Sequence, residues 1–438
     1  MKPVYPPVKY RAYNAGNFRL MPQMVNVDEH EKRAIEIVSQ VLPFKVNNYV
    51  AEHLIDWANY AEDPIYAMTF PRRDMLSVGD FTELSKLRAA GMSAAAENLV
   101  HEIRLKLNPH PASQIELNVP RFRGAPLEGI QHKYRETALA FPAHGQSCHA
   151  FCSFCFRWPQ FTSMPEKKFS AKDSSLILEY LIEHKEIVDL LITGGDPLIM
   201  NFKRFSEFLD PILNNIARTC IKTIRIGTKA LTYWPYKFLS DPDTDHYLRY
   251  FESIGKRGLH LSIMAHVNHH CELSSPAAHA AVKRILSSGA QIRTQSPVLR
   301  GINDSADLWA EKWRSEIILG MVPYYFFVAR DTGPNHYFSV PLERAWEIFK
   351  EAQSSVSGLC RTARGPTMSA APGKIIFDGV AEIAGEKRMA MHFTQARDPE
   401  MVNIPFFAKY DPKAVWISEL RPAEGEKFFW QKGSMQVI

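Results

Sequence analysis

Long hydrophobic runs are missing from this sequence. No apolar stretch reaches the roughly 20 residues that a membrane-spanning helix needs, so we expect no membrane partner. Residues 1–16 contain neither an apolar core nor a small-residue cleavage site, and a secretory signal is therefore not predicted. The expected location of the protein is the cytoplasm.

Blocks of like charge and internal repeats are also missing. Lys and Arg are spread along the chain, although the formal net charge is +5, so we expect no nucleic-acid partner. A mild excess of cations suits an anionic small molecule. The 438 residues are 46% hydrophobic and 23% charged, which is typical of a globular protein with a large core or two to three modules.

Cysteine is scarce, and half of it is concentrated in one place. Three of the six cysteines are Cys148, Cys152 and Cys155, within the stretch GQSCHAFCSFCFRWPQF. In a reducing compartment such a cluster indicates metal or redox chemistry more than a disulfide framework. The other three are scattered, and we interpret them as buried thiols.

The hydrophobic pattern changes near residue 135. Residues 28–60 and 82–107 carry apolar residues at helical spacing, which predicts a helical N-terminal region. Further along, short apolar runs alternate with amphipathic stretches, and this alternation predicts a parallel sheet with helices outside it. The six predicted strands are 137–143, 187–194, 223–228, 259–266, 291–299 and 322–329.

We therefore predict an α/β fold, a partial (βα)6 barrel of the TIM type, with a helical N-terminal region and a C-terminal extension. The predicted domains are an N-terminal arm and helical region over 1–125, the barrel over 126–340 and a C-terminal region over 341–438. Chemistry in such barrels lies on the loops after the strands. All six predicted strands are followed by a polar or glycine-containing motif, in order the cysteine loop, GGDP, GTK, HVNHH, RGIND and ARD.

Three thiolates spaced Cys-x3-Cys-x2-Cys suit a [4Fe–4S] cluster, which is normally held by one thiolate per iron. One iron is then left for a small molecule. The pattern resembles the radical S-adenosylmethionine (SAM) enzymes, and the resemblance implies that SAM binds that iron. GGDP resembles the family segment that holds the methionine ammonium of SAM, which makes Gly194, Gly195 and Asp196 candidate contacts. A structural zinc site would need a fourth ligand at a spacing that neither His144 nor His149 offers.

Seven further motifs resemble lysine 2,3-aminomutase and its relatives over roughly residues 125–400. They are HKYRET, ITGGDPL, IRIGTKA, HVNHHCE, TQSPVLRGIND, PYYFFVARD and APGK. The resemblance implies that SAM, the cluster and pyridoxal 5'-phosphate (PLP) move an amino group from C2 to C3 of an amino acid by way of a 5'-deoxyadenosyl radical. We also expect an electron donor such as flavodoxin or ferredoxin, and a homo-oligomer is possible.

Site residues follow from the matched motifs. Arg157 corresponds to the family arginine that binds the substrate carboxylate, and a guanidinium fork suits that task. Lys374 corresponds to the PLP lysine and Tyr134 to a tyrosine that contacts PLP. The arginine expected three residues after Tyr134 is Thr137, and Arg135 is a candidate replacement.

Further candidates lie at strand ends and on one predicted loop. His266 and Gln295 are candidate cofactor contacts. Arg361 and Arg364 in RTARGP, on a predicted loop, are candidates for binding phosphate or carboxylate or for bracing the C-terminal region.

The substrate pocket departs most from the family pattern. Lysine-specific members hold the distal ammonium with two aspartates, which align with Arg330 and Ala371 here. A cation in place of an anion reverses the preferred partner, so we expect a substrate other than lysine, with a distal carboxylate or neutral polar group. The alternative stays open that the alignment is shifted by one residue and that Asp331 holds a distal ammonium, as the family aspartate does.

Two other functions stay open on the sequence. One is a radical SAM enzyme without PLP that performs another hydrogen abstraction. The other is a non-catalytic iron–sulfur or zinc-binding scaffold.

Overall fold

A computed structural model of the chain describes residues 5–108, 117–162, 164 and 169–431. Residues 1–4, 109–116 and 432–438, which belong to the predicted terminal domains, lie outside the described residues. The strands are β1 (Ala12–Asn14), β2 (Lys45–Asn47), β3 (Arg121–Phe122), β4 (Ala125–Pro126), β5 (Ile130–Tyr134), β6 (Thr137–Ala140), β7 (Asp189–Ile192), β8 (Thr223–Thr228), β9 (His260–His266), β10 (Gln291–Val298), β11 (Val322–Val328), β12 (Arg364–Ser369), β13 (Gly373–Ile383), β14 (Glu386–Ala396) and β15 (Pro405–Lys409).

Several of the helices begin at a side-chain cap. Asp28 accepts a hydrogen bond from Glu31 N at the start of the first helix, and Ser275 does the same for Ala278 N further along. The helices are α1 (Glu29–Val38), α2 (Asn48–His53), α3 (Pro64–Thr69), α4 (Val78–Ala89), α5 (Ser93–Lys106), α6 (Ser175–Glu183), α7 (Phe202–Asn214), α8 (Ala230–Tyr233), α9 (Thr244–Lys256), α10 (Pro276–Ser287), α11 (Ala306–Ile318), α12 (Asn335–Phe338) and α13 (Leu342–Ser354).

One large sheet organises the chain from β5 to β15. Its eleven strands lie side by side in sequence order. Strands β6 to β12 pair in parallel, whereas β5 and β13 to β15 pair antiparallel to their neighbours. The predicted α/β fold with a parallel sheet is confirmed. The segment RTARGP was expected on a loop, but its second half begins the seventh parallel strand, β12.

The sheet curls so that its distant strands meet. The Lys133 ammonium on β5 donates a hydrogen bond to the carbonyl of Ala370, which follows β12. On β13, Lys374 Nζ lies 5.5 Å from the centre of the Tyr134 ring. Strand β5 and strand β13 are separated by the whole parallel part of the sheet, so these contacts require the sheet to close around a common interior.

The N-terminal helices pack against the loops of the barrel. Their core, which includes Ile35 and Phe70, also contains Ala150 and Trp158 from the cysteine loop and Trp234 after β8. In the described ranges, no helix combines the length and the apolar character that crossing a bilayer requires.

Candidate active site

The cysteine loop lies after β6, as predicted, and the N-terminal region fixes its backbone. Phe151 N donates to Lys45 O at 2.8 Å, and Ser153 N donates to Met68 O at 2.8 Å. Tyr10 Oη donates to the carbonyl of His149, the residue after Cys148, at 2.7 Å. These bonds hold the three-cysteine segment from outside the barrel, an arrangement that no local motif in the sequence shows.

The three cysteines are held in a desolvated environment. Burial raises the pKa of Cys148, Cys152 and Cys155, and that of Cys152 reaches about 12. Thiols of this kind stay protonated until a cation compensates the buried thiolate charge. Iron supplies that charge, and binding it releases the protons. The chemistry of the three ligands therefore fits a cluster.

A compact group of possible metal ligands lies elsewhere in the chain. Within the described ranges, the one group of three or more such side chains whose ligand atoms lie within 4.8 Å of one another is His132, His184 and Glu186. The three cysteines are not in such a group.

The two glycines of GGDP let the loop after β7 lie against the cysteine loop. A Cβ atom at Gly194, where φ is +133°, would lie 2.1 Å from Gln146 Nε2. One at Gly195 would lie 2.4 Å from the carbonyl oxygen of Ser147. The contact at Gly195 is with backbone and excludes a side chain, whereas Gly194 needs glycine because of its positive φ.

Asp196 is buried beside the cysteine loop. Its backbone N donates to Ser147 O at 2.6 Å, and its carboxylate accepts hydrogen bonds from Thr228 Oγ1 at 2.8 Å, Lys229 N at 2.9 Å and Leu198 N at 3.0 Å. Burial raises its pKa, whereas these donors lower it. The carboxylate thus joins the ends of β7 and β8, and its contact with SAM stays a prediction.

His266 lies at the end of β9, next to the cysteine loop. Its ring centre is 5.8 Å from that of Phe154. Burial, with repulsion from Lys229, holds its pKa well below the usual range, so the imidazole is neutral. Gln295 on β10 pairs with His266 on one side and Tyr325 on β11 on the other, which brings these three positions to one level of the sheet.

A buried ion pair supports this edge of the site. Lys229 Nζ donates to Glu272 Oε2 at 2.5 Å, to Asn268 Oδ1 at 3.0 Å and to His266 O at 3.2 Å. The motifs GTK and HVNHHCE marked this region in the sequence, but nothing in either motif showed that the lysine and the glutamate pair.

The predicted substrate arginines come together around one aromatic ring. The Arg157 guanidinium carbon lies 4.9 Å from the centre of the Phe156 ring, and that of Arg330 lies 5.0 Å from it. Burial lowers the pKa of Arg157 to about 10, with repulsion from Arg330 acting in the same direction. Burial lowers the pKa of Arg330, and the adjacent Asp331 acts in the opposite direction.

Lys374 lies in the interior that the curled sheet encloses. Its Nζ donates to Gln395 Oε1 at 2.8 Å and lies 3.5 Å from Tyr325 Oη. Burial lowers the pKa of Lys374 to about 7, and repulsion from Arg225 and Arg364 adds to the effect. The structure thus brings Lys374 together with Tyr134, as the family resemblance implies.

The proposed replacement for the missing family arginine is not supported. Arg135 lies on the exposed turn between β5 and β6, and not in the interior. Thr137 donates to Asp189 Oδ2 at 3.0 Å, and Asp189 Oδ1 accepts from Arg225 Nε at 2.8 Å. Of the two RTARGP arginines, Arg364 enters the site on β12.

The chain is similar to known proteins over most of its length. A scan of protein-family models finds no match to the chain. Over 397 residues, 90% of its length, the chain is 31% identical to a protein of Aquifex aeolicus (strain VF5) named "Putative L-lysine 2,3-aminomutase", and the match covers 91% of that protein. It is 25% identical over 335 residues to the L-lysine 2,3-aminomutase of Methanococcus maripaludis, covering 76% of this chain and 66% of that protein. A solved radical SAM methyltransferase from Sphaerobacter thermophilus matches 54% of this chain and 68% of its own, with a TM-score of 0.36 and 12% identity.

The three-cysteine loop on a parallel sheet and the similarity to the Aquifex aeolicus protein identify the chain as a radical SAM enzyme. Within that class it belongs to the L-lysine 2,3-aminomutase-like family. Membership implies a [4Fe–4S] cluster and SAM. Cys148, Cys152 and Cys155 would hold the cluster, and the loop after β7 would lie beside SAM.

Proposed function

We propose that this enzyme is a PLP-dependent amino-acid 2,3-aminomutase that acts on a substrate other than lysine. The observation that carries the proposal is the position of Lys374. It lies inside the curled sheet, its ammonium 4.6 Å from the centre of the Tyr325 ring and 5.5 Å from that of Tyr134. A flat aromatic cofactor linked to Lys374 would lie close to both tyrosine rings.

The protonation of Lys374 supports the same role. Only a neutral amine can attack an aldehyde carbon, and an ordinary lysine is almost fully charged at neutral pH. With a pKa of about 7, close to half of the Lys374 side chains are neutral there. When bound, PLP would carry the substrate amino group, and SAM with the cluster would supply the radical that removes hydrogen from C3.

The charges around the interior support an acidic substrate. Arg157 would bind the α-carboxylate, and the Arg330 guanidinium lies 5.0 Å from the centre of the same Phe156 ring that Arg157 contacts. A distal ammonium would meet a second cation at Arg330, whereas a distal carboxylate would form an ion pair with it. We therefore infer a substrate with a distal carboxylate. An electron donor such as flavodoxin or ferredoxin would reduce the cluster and leave the substrate at its own oxidation level.

Covalent trapping tests the proposal. The protein is incubated with PLP, reduced with borohydride, digested and mapped by mass spectrometry. We expect the PLP label on Lys374 and its loss in Lys374→Arg. Lys312→Arg serves as a matched control, because it alters a buried lysine on helix α11 that pairs with Glu316 and lies outside this interior. Absence of label at Lys374 in the wild-type protein would reject the aminomutase and favour a radical SAM enzyme without PLP.

A further inference from the structure

Two cations converge on the turn that leads into Lys374. The turn, residues 370–372, joins β12 to β13. Lys133 Nζ donates a hydrogen bond to the carbonyl of Ala370, and Arg397 Nε donates to the carbonyl of Ala371 at 2.9 Å. Arg397 N also donates to the carbonyl of Pro372 at 3.0 Å. The two side chains come from opposite ends of the sheet, β5 and the residue after β14, so only the curled fold brings them together.

Neither cation is neutralised by the part of the protein that the structure describes. No Asp or Glu oxygen of the described ranges lies within 4.0 Å of Lys133 Nζ or of the Arg397 guanidinium. Arg397 Nη2 donates to Asn118 Oδ1 at 2.5 Å, but Arg397 Nη1 is buried without a hydrogen-bond partner among those residues. Burial, with repulsion from Arg330, Arg397 and Lys374, holds the pKa of Lys133 well below its usual range, and a bound anion would restore the charge of this amine.

This arrangement costs stability unless an anion completes it. A buried charge that meets only carbonyl and amide groups keeps most of its desolvation penalty. A second cation close by adds repulsion in a medium of low dielectric constant. An anion with several oxygen atoms would accept hydrogen bonds from Lys133 Nζ and Arg397 Nη1 and would remove both costs.

We propose that Lys133 and Arg397 form an anion subsite for the phosphate group of PLP. Thr137, where the family pattern has an arginine, is committed to Asp189 and supplies no charge. Arg397, more than 250 residues away in the chain, would supply the guanidinium from the C-terminal region instead. The assignment rests on the proposed function, because it takes the phosphate to be that of PLP.

Comparison of PLP with pyridoxal tests the subsite, because pyridoxal has the same aldehyde and no phosphate. Binding to the full-length protein is measured by the absorbance change on titration with each aldehyde. We expect Arg397→Gln to weaken PLP binding by about tenfold or more, the usual cost of losing a charged hydrogen-bond donor. Pyridoxal binding should change by less than about twofold. Arg421→Gln, at an exposed C-terminal position, is the matched control and should alter neither.

Two further variants keep the test decisive if Arg397→Gln folds poorly. Arg397→Lys preserves the charge and should retain most of the preference for PLP over pyridoxal. Lys133→Gln should lose that preference in the same way as Arg397→Gln. Circular dichroism and thermal melting would establish that each variant is folded. Equal weakening of PLP and pyridoxal, or no weakening of either, would overturn the subsite.

Equilibrium dialysis with radiolabelled inorganic phosphate separates the subsite from the proposed function. If the wild-type protein binds phosphate, Arg397→Gln does not, and PLP forms no adduct, then the subsite stands and the aminomutase proposal fails. If the wild-type protein binds neither compound, the subsite is overturned. If Arg397→Gln leaves the PLP preference intact and raises only the KM for a dicarboxylic amino acid, the anion is the substrate carboxylate and the phosphate assignment is overturned.

Discussion

Replacing Lys374 by methionine should change how the stability of the cofactor-free protein depends on pH. The ordinary pKa of a lysine, which we take for the unfolded chain, is 10.5, whereas the pKa of Lys374 in the folded chain is about 7. Between these values the unfolded chain binds a proton that the folded chain does not. The free energy of unfolding of the wild-type protein therefore rises with pH across this window and levels off below it.

The size of the effect follows from the two pKa values. The full difference corresponds to about 5 kcal/mol, at about 1.4 kcal/mol for each pH unit. From roughly pH 7 to pH 9, the part of the rise that belongs to Lys374 is about 2 kcal/mol. Other titrating groups contribute equally to the wild-type protein and to Lys374→Met, so they cancel in the difference between the two.

Urea unfolding followed by tryptophan fluorescence measures that difference at roughly pH 7, 8 and 9. We expect the stability of the wild-type protein relative to Lys374→Met to rise with pH by about 2 kcal/mol. The lost hydrogen bond to Gln395 shifts the variant by a constant amount and does not alter the slope. Lys203→Met, at a position whose side chain is 80% exposed, is the control for removing a lysine charge. A difference that does not change with pH would show that Lys374 is charged in the folded protein and would refute the reasoning.

Three other changes test separate parts of the site. Gly195→Ala should force the loop after β7 away from Ser147 and reduce the iron bound after anaerobic reconstitution to below about half of the wild-type content. Gly255→Ala is the control and should bind as much iron as the wild-type protein, because the space around its Cβ is open. Equal iron in both variants would contradict the close packing of Gly195 against Ser147. Lys45→Met removes a cation that donates to Ser147 Oγ at 2.6 Å beside the cysteine loop. The reduction potential of the cluster, measured in an EPR-monitored titration, should therefore fall by on the order of tens of millivolts and should recover in Lys45→Arg. An unchanged potential would show that Lys45 is only structural. Arg330→Asp should raise kcat/KM for lysine relative to kcat/KM for a dicarboxylic amino acid by about tenfold or more. An unchanged ratio of these two values would count against Arg330 as a contact of the distal group.

The sequence was most informative where the chemistry is local. The cysteine loop could be predicted because its three ligands lie within eight consecutive residues. Six of the seven parallel strands, β6 to β11, could be predicted because each is a short apolar run in a pattern that alternates with amphipathic stretches. Strand β12 was missed because RGPTMS contains glycine and proline, which are typical of turns.

Contacts between distant parts of the chain could not be predicted. Lys45 reaches the cysteine loop across 102 positions in the sequence, and its role depends on how the N-terminal helices pack. Arg397 reaches Asn118 across 279 positions and is inside the site only because the sheet curls. Arg135 illustrates the opposite error, since its sequence position beside Tyr134 suggested the interior but a tight hairpin leaves it exposed.

The most direct test of the account is to identify the product formed by the reconstituted enzyme. The protein with its cluster, SAM, PLP and a reductant is incubated separately with lysine and with a panel of dicarboxylic and neutral polar amino acids, and the products are analysed by mass spectrometry against β-amino acid standards. The account predicts a β-amino acid from a dicarboxylic substrate and none from lysine. Conversion of lysine to β-lysine as the preferred reaction, or release of 5'-deoxyadenosine without amino-group migration from any substrate, would contradict it.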